Sequence, residues 1–181
     1  SIYIVIYSIL IIDYHYINSY YKYEVISLKT KTCCFSGHRE LYPKKIPLLE
    51  KELHKIIADC IEKGYRRFLC GGAKGFDFLA AKTLLAHQNT CPEIQLEIVF
   101  SYHYLPSMWK EIAAKANSLT YLSETYYPGC FYARTRYIVR QSHGIIYYLE
   151  KETGGTAYTV RCAKNSSLAL FPITLSSESE W

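Results

Sequence analysis

The sequence predicts an α/β protein, an open, mostly parallel sheet with helices on both faces in a three-layer α/β/α arrangement. From Lys31 onward, short apolar runs alternate with segments whose apolar residues recur every three or four positions, as strands alternating with amphipathic helices do. Glycine-bearing turns follow several of these runs, where such sheets place their ligands. A chain of 181 residues, 50% hydrophobic and 20% charged, suffices for one core and excludes a disordered or collagen-like polymer.

The elements follow in order. Lys31 to Phe35 reads as a first strand ending at Ser36-Gly37. Leu49, Leu53, Ile56, Ile57, Cys60 and Ile61 then form one helical face, with Pro47 in the first turn and Gly64 as the stop. Arg67 to Cys70 is the second strand, Gly71-Gly72 a turn, and Phe76 to His87 a helix carrying Leu79, Ala80, Thr83 and Leu84 on one side. Ile94 to Phe100 is the third strand, and Met108, Trp109, Ile112, Ala113 and Ala116 mark a third helix. Leu119 to Leu122 is a short strand, Tyr132 to Gln141 a helix, Ile145 to Leu149 a strand, Thr156 to Lys164 a helix and Leu168 to Ile173 the last strand. The domain is therefore expected over residues 31–173, with a polar tail over 174–181.

Residues 1–30 differ in character. Seven of the nineteen tyrosines fall before Glu24, amid isoleucines. The apolar run Ile2 to Ile12 is eleven residues, against about twenty for a membrane-spanning helix, and neither a basic start nor a small-residue cleavage site marks a secretory signal. Ile, Tyr and Asn are what AT-rich codons encode, so this extension reads either as translated upstream sequence or as an additional β-strand.

Seven cysteines, with no C-x-x-C pair and no histidine at zinc-finger spacing, argue against a metal site or a disulfide framework and for a reducing, cytoplasmic setting. The net charge of +5 favours anionic ligands without requiring nucleic acid. His54, His87 and His143 show no partner spacing and read as fillers.

Three turns could carry chemistry. Ser36-Gly37-His38-Arg39 brings a hydroxyl, a flexible backbone, an imidazole and a guanidinium off one strand; Arg39 could pair two phosphate oxygens while Gly37 lets backbone N–H groups approach them. In Gly71-Gly72-Ala73-Lys74-Gly75-Phe76-Asp77, the glycines allow close approach and a helix N-terminus offers free donors. Asp77 there suits either the helix dipole or a ribose hydroxyl. In Gly154-Gly155-Thr156, Thr156 is placed as a helix cap whose neighbouring N–H groups would face an anion. Neither a G-x-x-x-x-G-K-[ST] nor a G-x-G-x-x-G pattern is present, so the standard phosphate-loop and dinucleotide fingerprints are excluded. Arg134 and Arg136 lie about 200° apart on a helix, so only one can face a cleft. Tyr126-Tyr127-Pro128-Gly129 could supply an aromatic lid.

Taken in order, C-C-F-S-G-H-R, G-Y-R-R-F-L-C-G-G-A-K-G-F-D-F-L-A-A, the Trp109 helix, C-F-Y-A-R-T-R-Y-I-V-R-Q-S and G-G-T-A-Y-T-V-R-C-A resemble the YpsA-like family of the SLOG superfamily, which groups relatives of the DNA-processing protein DprA with the LOG nucleotide hydrolases. The resemblance covers about residues 31–173 and implies a Rossmann-like domain that binds a nucleotide or nucleotide-derived ligand such as NAD or ADP-ribose. By position it assigns the ligand site to Ser36, Gly37, His38, Arg39, Gly72, Gly75, Asp77, Arg134, Gly155 and Thr156. Lys74, Thr135 and Arg140 depart from the family pattern, which has an apolar residue, Asn and Asp there.

The expected function is that of a sensor or effector module for a small anionic ligand. The alternatives are N-glycoside hydrolysis, as LOG relatives perform, and single-stranded DNA binding. Hydrolysis is disfavoured because the Glu of the LOG signature is replaced by Thr159, leaving Asp77 as the one candidate for a catalytic carboxylate. DNA binding is disfavoured because the basic residues are scattered and show no stacking platform. Self-association of such a domain is compatible with the sequence, and a membrane partner is not expected.

Overall fold

The computed structural model describes residues 31–175. Six strands, β1 (Lys31–Gly37), β2 (Tyr65–Cys70), β3 (Gln95–Phe100), β4 (Ser118–Tyr121), β5 (Gly144–Tyr148) and β6 (Ala169–Pro172), form one sheet. The helices are α1 (Ile46–Glu62), α2 (Phe76–Gln88), α3 (Lys110–Lys115), α4 (Cys130–Arg140) and α5 (Gly154–Asn165). The strand order is β4-β3-β2-β1-β5-β6, and all five pairings are parallel.

Side-chain alternation along the strands separates two cores. Cys33, Phe35, Phe68, Cys70, Ile98 and Phe100 point to one face, where they meet Leu53 and Ile57 of α1, Leu84 of α2 and Ile112 of α3. Cys34, Leu69, Val99 and Ile145 point to the other, against Ile138 and Val139 of α4 and Ala163 of α5. This is the α/β/α sandwich that the alternating pattern predicts, in the Rossmann-like form that the family resemblance implies. Right-handed crossovers require it: the chain steps from β1 to β4 under α1–α3, then returns to the other side of β1 under α4 and α5. On that second face, buried Glu97 is neutralised by Arg67 at 2.5 Å and accepts the Thr120 hydroxyl at 2.7 Å.

Boundaries move where backbone geometry decides. β1 extends to Gly37 because β5 pairs with it as far as Tyr148. α4 starts at Cys130, immediately after Gly129 with its left-handed φ of 91°. The third helix is shorter than its apolar pattern, since Ser107–Trp109 forms a 3-10 turn before α3. Gly64 has φ 86° and ends α1. The seven cysteines are free thiols. Among the described residues no helix is long and apolar enough to cross a membrane, and the expectations for 1–30 and most of the tail lie outside them.

Candidate functional site

The sheet order reverses at β1. The chain leaves β1 toward β2 on one side and reaches β5 on the other, so the connections diverge and open a crevice at the strands' carboxyl ends. A cavity of about 380 Å³ occupies that position. Ser36, Gly37, His38 and Arg39 enter it from β1, Gly71, Ala73 and Asp77 from the turn after β2, and Thr153, Gly154, Gly155 and Thr156 from the turn after β5. Phe131, Arg134, Thr135 and Ile138 face it as one helical stripe of α4, with Tyr132 beside them.

The first turn is tied to the other two. His38 Nε2 accepts the Glu150 N–H at 2.8 Å, and the His38 carbonyl accepts the Phe76 N–H at 3.0 Å. A Cβ at Gly37 would overlap the Phe76 ring, so that glycine is needed for α2 to approach β1. Arg39 is exposed, with its guanidinium 5.3 Å from the Phe131 ring centroid; Arg134 lies 5.6 Å from the same ring. Two guanidiniums thus converge on one aromatic side chain at the cleft mouth.

Asp77 is the one carboxylate among the described residues that line this cavity. It is buried, and its Oδ2 accepts the Ala73 N–H at 3.2 Å. Burial pushes its carboxyl from 3.8 up to about 6, against the opposing pull of Arg134. At α5, Thr153 sits in extended backbone and Gly154 has φ 86°. The first N–H groups of that helix have no intrahelical acceptor and border the cavity, a geometry suited to an anion.

The model of the YspA SLOG family matches residues 34–175. The chain belongs to this family. The chain is also similar to a UPF0398 protein of Halalkalibacterium halodurans, 27% identical over 130 residues that cover 66% of this chain and 69% of that protein. Among solved structures, DNA processing protein A from Helicobacter pylori, a single-stranded DNA binder, superposes with a TM-score of 0.60 at 17% identity, covering 86% of this chain and 70% of that one. DNA processing protein A from Streptococcus pneumoniae gives a TM-score of 0.61 at 23% identity, with 84% of this chain and 53% of that one covered. These likenesses show a shared fold.

Within the SLOG fold, the predicted site residues divide. Ser36, Gly37, His38, Arg39, Asp77, Arg134, Gly155 and Thr156 come together around the cleft. Gly72 and Gly75 do not line it. Gly72 faces a neighbouring cavity, and a side chain there would strike Phe100. Gly75, with φ 77°, is pressed against the backbone carbonyls of Arg39 and His38, where no Cβ fits. The glycine that the cleft uses in this turn is Gly71, whose missing Cβ leaves room for Asp77 Oδ2 at 2.9 Å and the Arg134 guanidinium at 3.4 Å.

Other readings change as well. Thr156 is not the cap: Thr153 holds that position, because left-handed Gly154 starts the helix two residues earlier than its apolar pattern. Gly154, and not Gly155, is the left-handed residue of this turn. Arg134 faces the cleft and Arg136 is exposed. Tyr126 and Tyr127 stay outside the cavity, and Phe131 and Tyr132 supply its aromatic edge. Lys74 pairs with Glu40 at 2.6 Å, on the surface. His54 and His87 are partnered after all, with Nδ1 and Nε2 3.1 Å apart across α1 and α2, and His143 Nδ1 accepts the Thr32 N–H at 3.0 Å.

Proposed function

We propose that this protein binds a nucleotide or nucleotide-derived anion in the cleft between β1 and β5 and acts as a sensor or effector module. One observation carries the reading: three separate turns, two guanidiniums and the start of α5 converge on a single cavity at the reversal of strand order. The guanidiniums supply charge and fixed donor geometry, the α5 N–H groups supply directed donors, and Phe131 and Tyr132 shield the mouth. NAD, ADP-ribose and mononucleotides are the candidate ligands.

A hydrolytic reading rests on Asp77. Burial raises its carboxyl to about 6 beside Arg134, a range in which a carboxyl can hold and release a proton near neutral pH. Against it, Thr159 holds no charge where the LOG signature has Glu, and its hydroxyl is spent on the Gly155 carbonyl at 2.9 Å. Release of free base from AMP, abolished in Asp77→Asn, would establish hydrolysis.

Mass spectrometry of ligand released from purified protein, paired with thermal shifts on adding AMP, ADP-ribose or NAD, tests the binding reading. A nucleotide-like species or a dose-dependent rise in melting temperature is expected. Absence of both refutes it, and steeply salt-dependent binding of single-stranded DNA in their place would favour a DNA-processing role.

A further inference from the structure

Beyond Arg39 and Arg134 lies a second cavity of about 290 Å³. It shares Arg39, Ala73, Phe131 and Arg134 with the first, so the two cavities adjoin at the guanidinium pair. Its chemistry differs. Phe100, Tyr102, Tyr104, Met108 and Trp109 wall it, and Lys74, paired with Glu40 on the surface, is the one charged residue it adds to the shared guanidiniums. Tyr102 and Tyr104 stack with centroids 6.1 Å apart, and Trp109 meets Phe100 edge-on at 6.3 Å. Tyr104 and Met108 are exposed, which leaves the cavity open to solvent.

Two polar atoms in this wall stand out. Ser101 Oγ and Trp109 Nε1 belong to residues only 4% and 0% exposed, and neither atom has a hydrogen-bond partner among the described residues. Buried polar groups are nearly always paired, and these two lie just beneath the cavity surface, where a small side-chain shift would let a ligand supply the missing partner. An indole N–H can only donate and a hydroxyl can do either, so the complementary edge carries at least one acceptor. Aromatic walls select a flat ring over an aliphatic chain because stacking rewards planarity.

We infer that this cavity is a base subsite: the ligand is a nucleoside phosphate whose anionic part sits in the switch-point cleft and whose planar, acceptor-bearing ring sits against Tyr104 and Met108, above the buried Trp109. The sugar passes the Arg39–Phe131–Arg134 group. This inference rests on the nucleotide reading above and adds the recognition of the base.

Calorimetry on the full chain with ribose 5-phosphate and the four nucleoside 5′-monophosphates tests it. At least one monophosphate is expected to bind tenfold or more tighter than ribose 5-phosphate. Ser101→Ala and Tyr104→Ala should reduce that preference at least threefold while leaving ribose 5-phosphate affinity within twofold, whereas Arg39→Ala should weaken both ligand types. In a Trp181→Phe background Trp109 is the sole tryptophan, and its fluorescence should respond to the preferred nucleotide but not to ribose 5-phosphate. Equal affinity for both ligand types, or a preference untouched by both pocket variants, overturns the base subsite and leaves the anion cleft standing. Failure of every phosphate to bind, with ADP-ribose and NAD added to the series, overturns both.

Discussion

Replacing Asp77 by asparagine should stabilise the ligand-free protein at neutral pH and leave it unchanged in acid. The native fold raises this carboxyl from 3.8 to about 6, because burial outweighs the attraction of Arg134. An acid whose folded-state pKa is raised holds its proton more tightly in the native state than in the unfolded chain, so stability falls as pH rises from about 4 through about 6. A gap of about two pKa units, at about 1.4 kcal/mol each, amounts to about 3 kcal/mol by pH 7.5. Asparagine retains an oxygen for the Ala73 N–H and carries no charge to desolvate. Urea unfolding followed by circular dichroism at pH 4, 5, 6 and 7.5 should therefore show a stability gain that grows with pH to about 2–3 kcal/mol. At a domain of this size that corresponds to a rise in melting temperature of roughly 4–12 °C. A variant less stable than the parent at pH 7.5 would refute the reasoning, since it would mean that the Asp77–Arg134 attraction exceeds the cost of burial. So would a gain that persists at pH 4.

Three further outcomes follow from the same geometry. Arg39→Ala should weaken binding of an anionic nucleotide by about 1.5–3 kcal/mol, the scale of a charged hydrogen bond, with an unchanged circular dichroism spectrum because the side chain is exposed. Gly155→Val should fold, since a Cβ there meets no atom within 4 Å, yet lose calorimetric binding because the added methyl groups occupy space beside the α5 donors. Gly75→Ala should cost roughly 3 kcal/mol or more in urea unfolding, since its Cβ would collide with the His38 and Arg39 carbonyls at a φ of 77°.

The order and type of the elements were legible because each strand carries β-branched, aromatic or cysteine residues and the helices carry apolar residues at three- and four-residue spacing, the first of them closed by Gly64. Gly64 and the Gly71-Gly72 turn fall where the periodicity changes, and both mark real ends. The three site-bearing turns were legible for the same reason. What each glycine is for was not. Gly71, Gly72 and Gly75 look alike in sequence, and their roles depend on what lies opposite: Asp77 and Arg134, the Phe100 ring, or the backbone of the first turn. The His54–His87 pair is set by the packing of α1 on α2, across 33 positions, which no local spacing encodes. Phe131 was hidden similarly, since its partners Arg39 and Arg134 come together only once β1 and α4 are placed. The aromatic cavity is not legible in the sequence, where Phe100 ends a strand and Trp109 belongs to a helical apolar pattern.

The position of β1 between β2 and β5 also bears on how the molecule assembles. β1 meets β2 through a single helical crossover, but it meets β5 only after the chain has traversed three more strands, as the Thr32–His143 bond across 111 positions shows. Loop closure makes that second pairing the slower one to form, so the segment from β1 to β4 is expected to organise first and the β5–α5–β6 segment to dock onto it. The cleft is the seam between these two halves. A ligand that contacts both the β1 turn and the start of α5 would therefore clamp the last-formed boundary, and its binding should slow unfolding as well as raise the melting point.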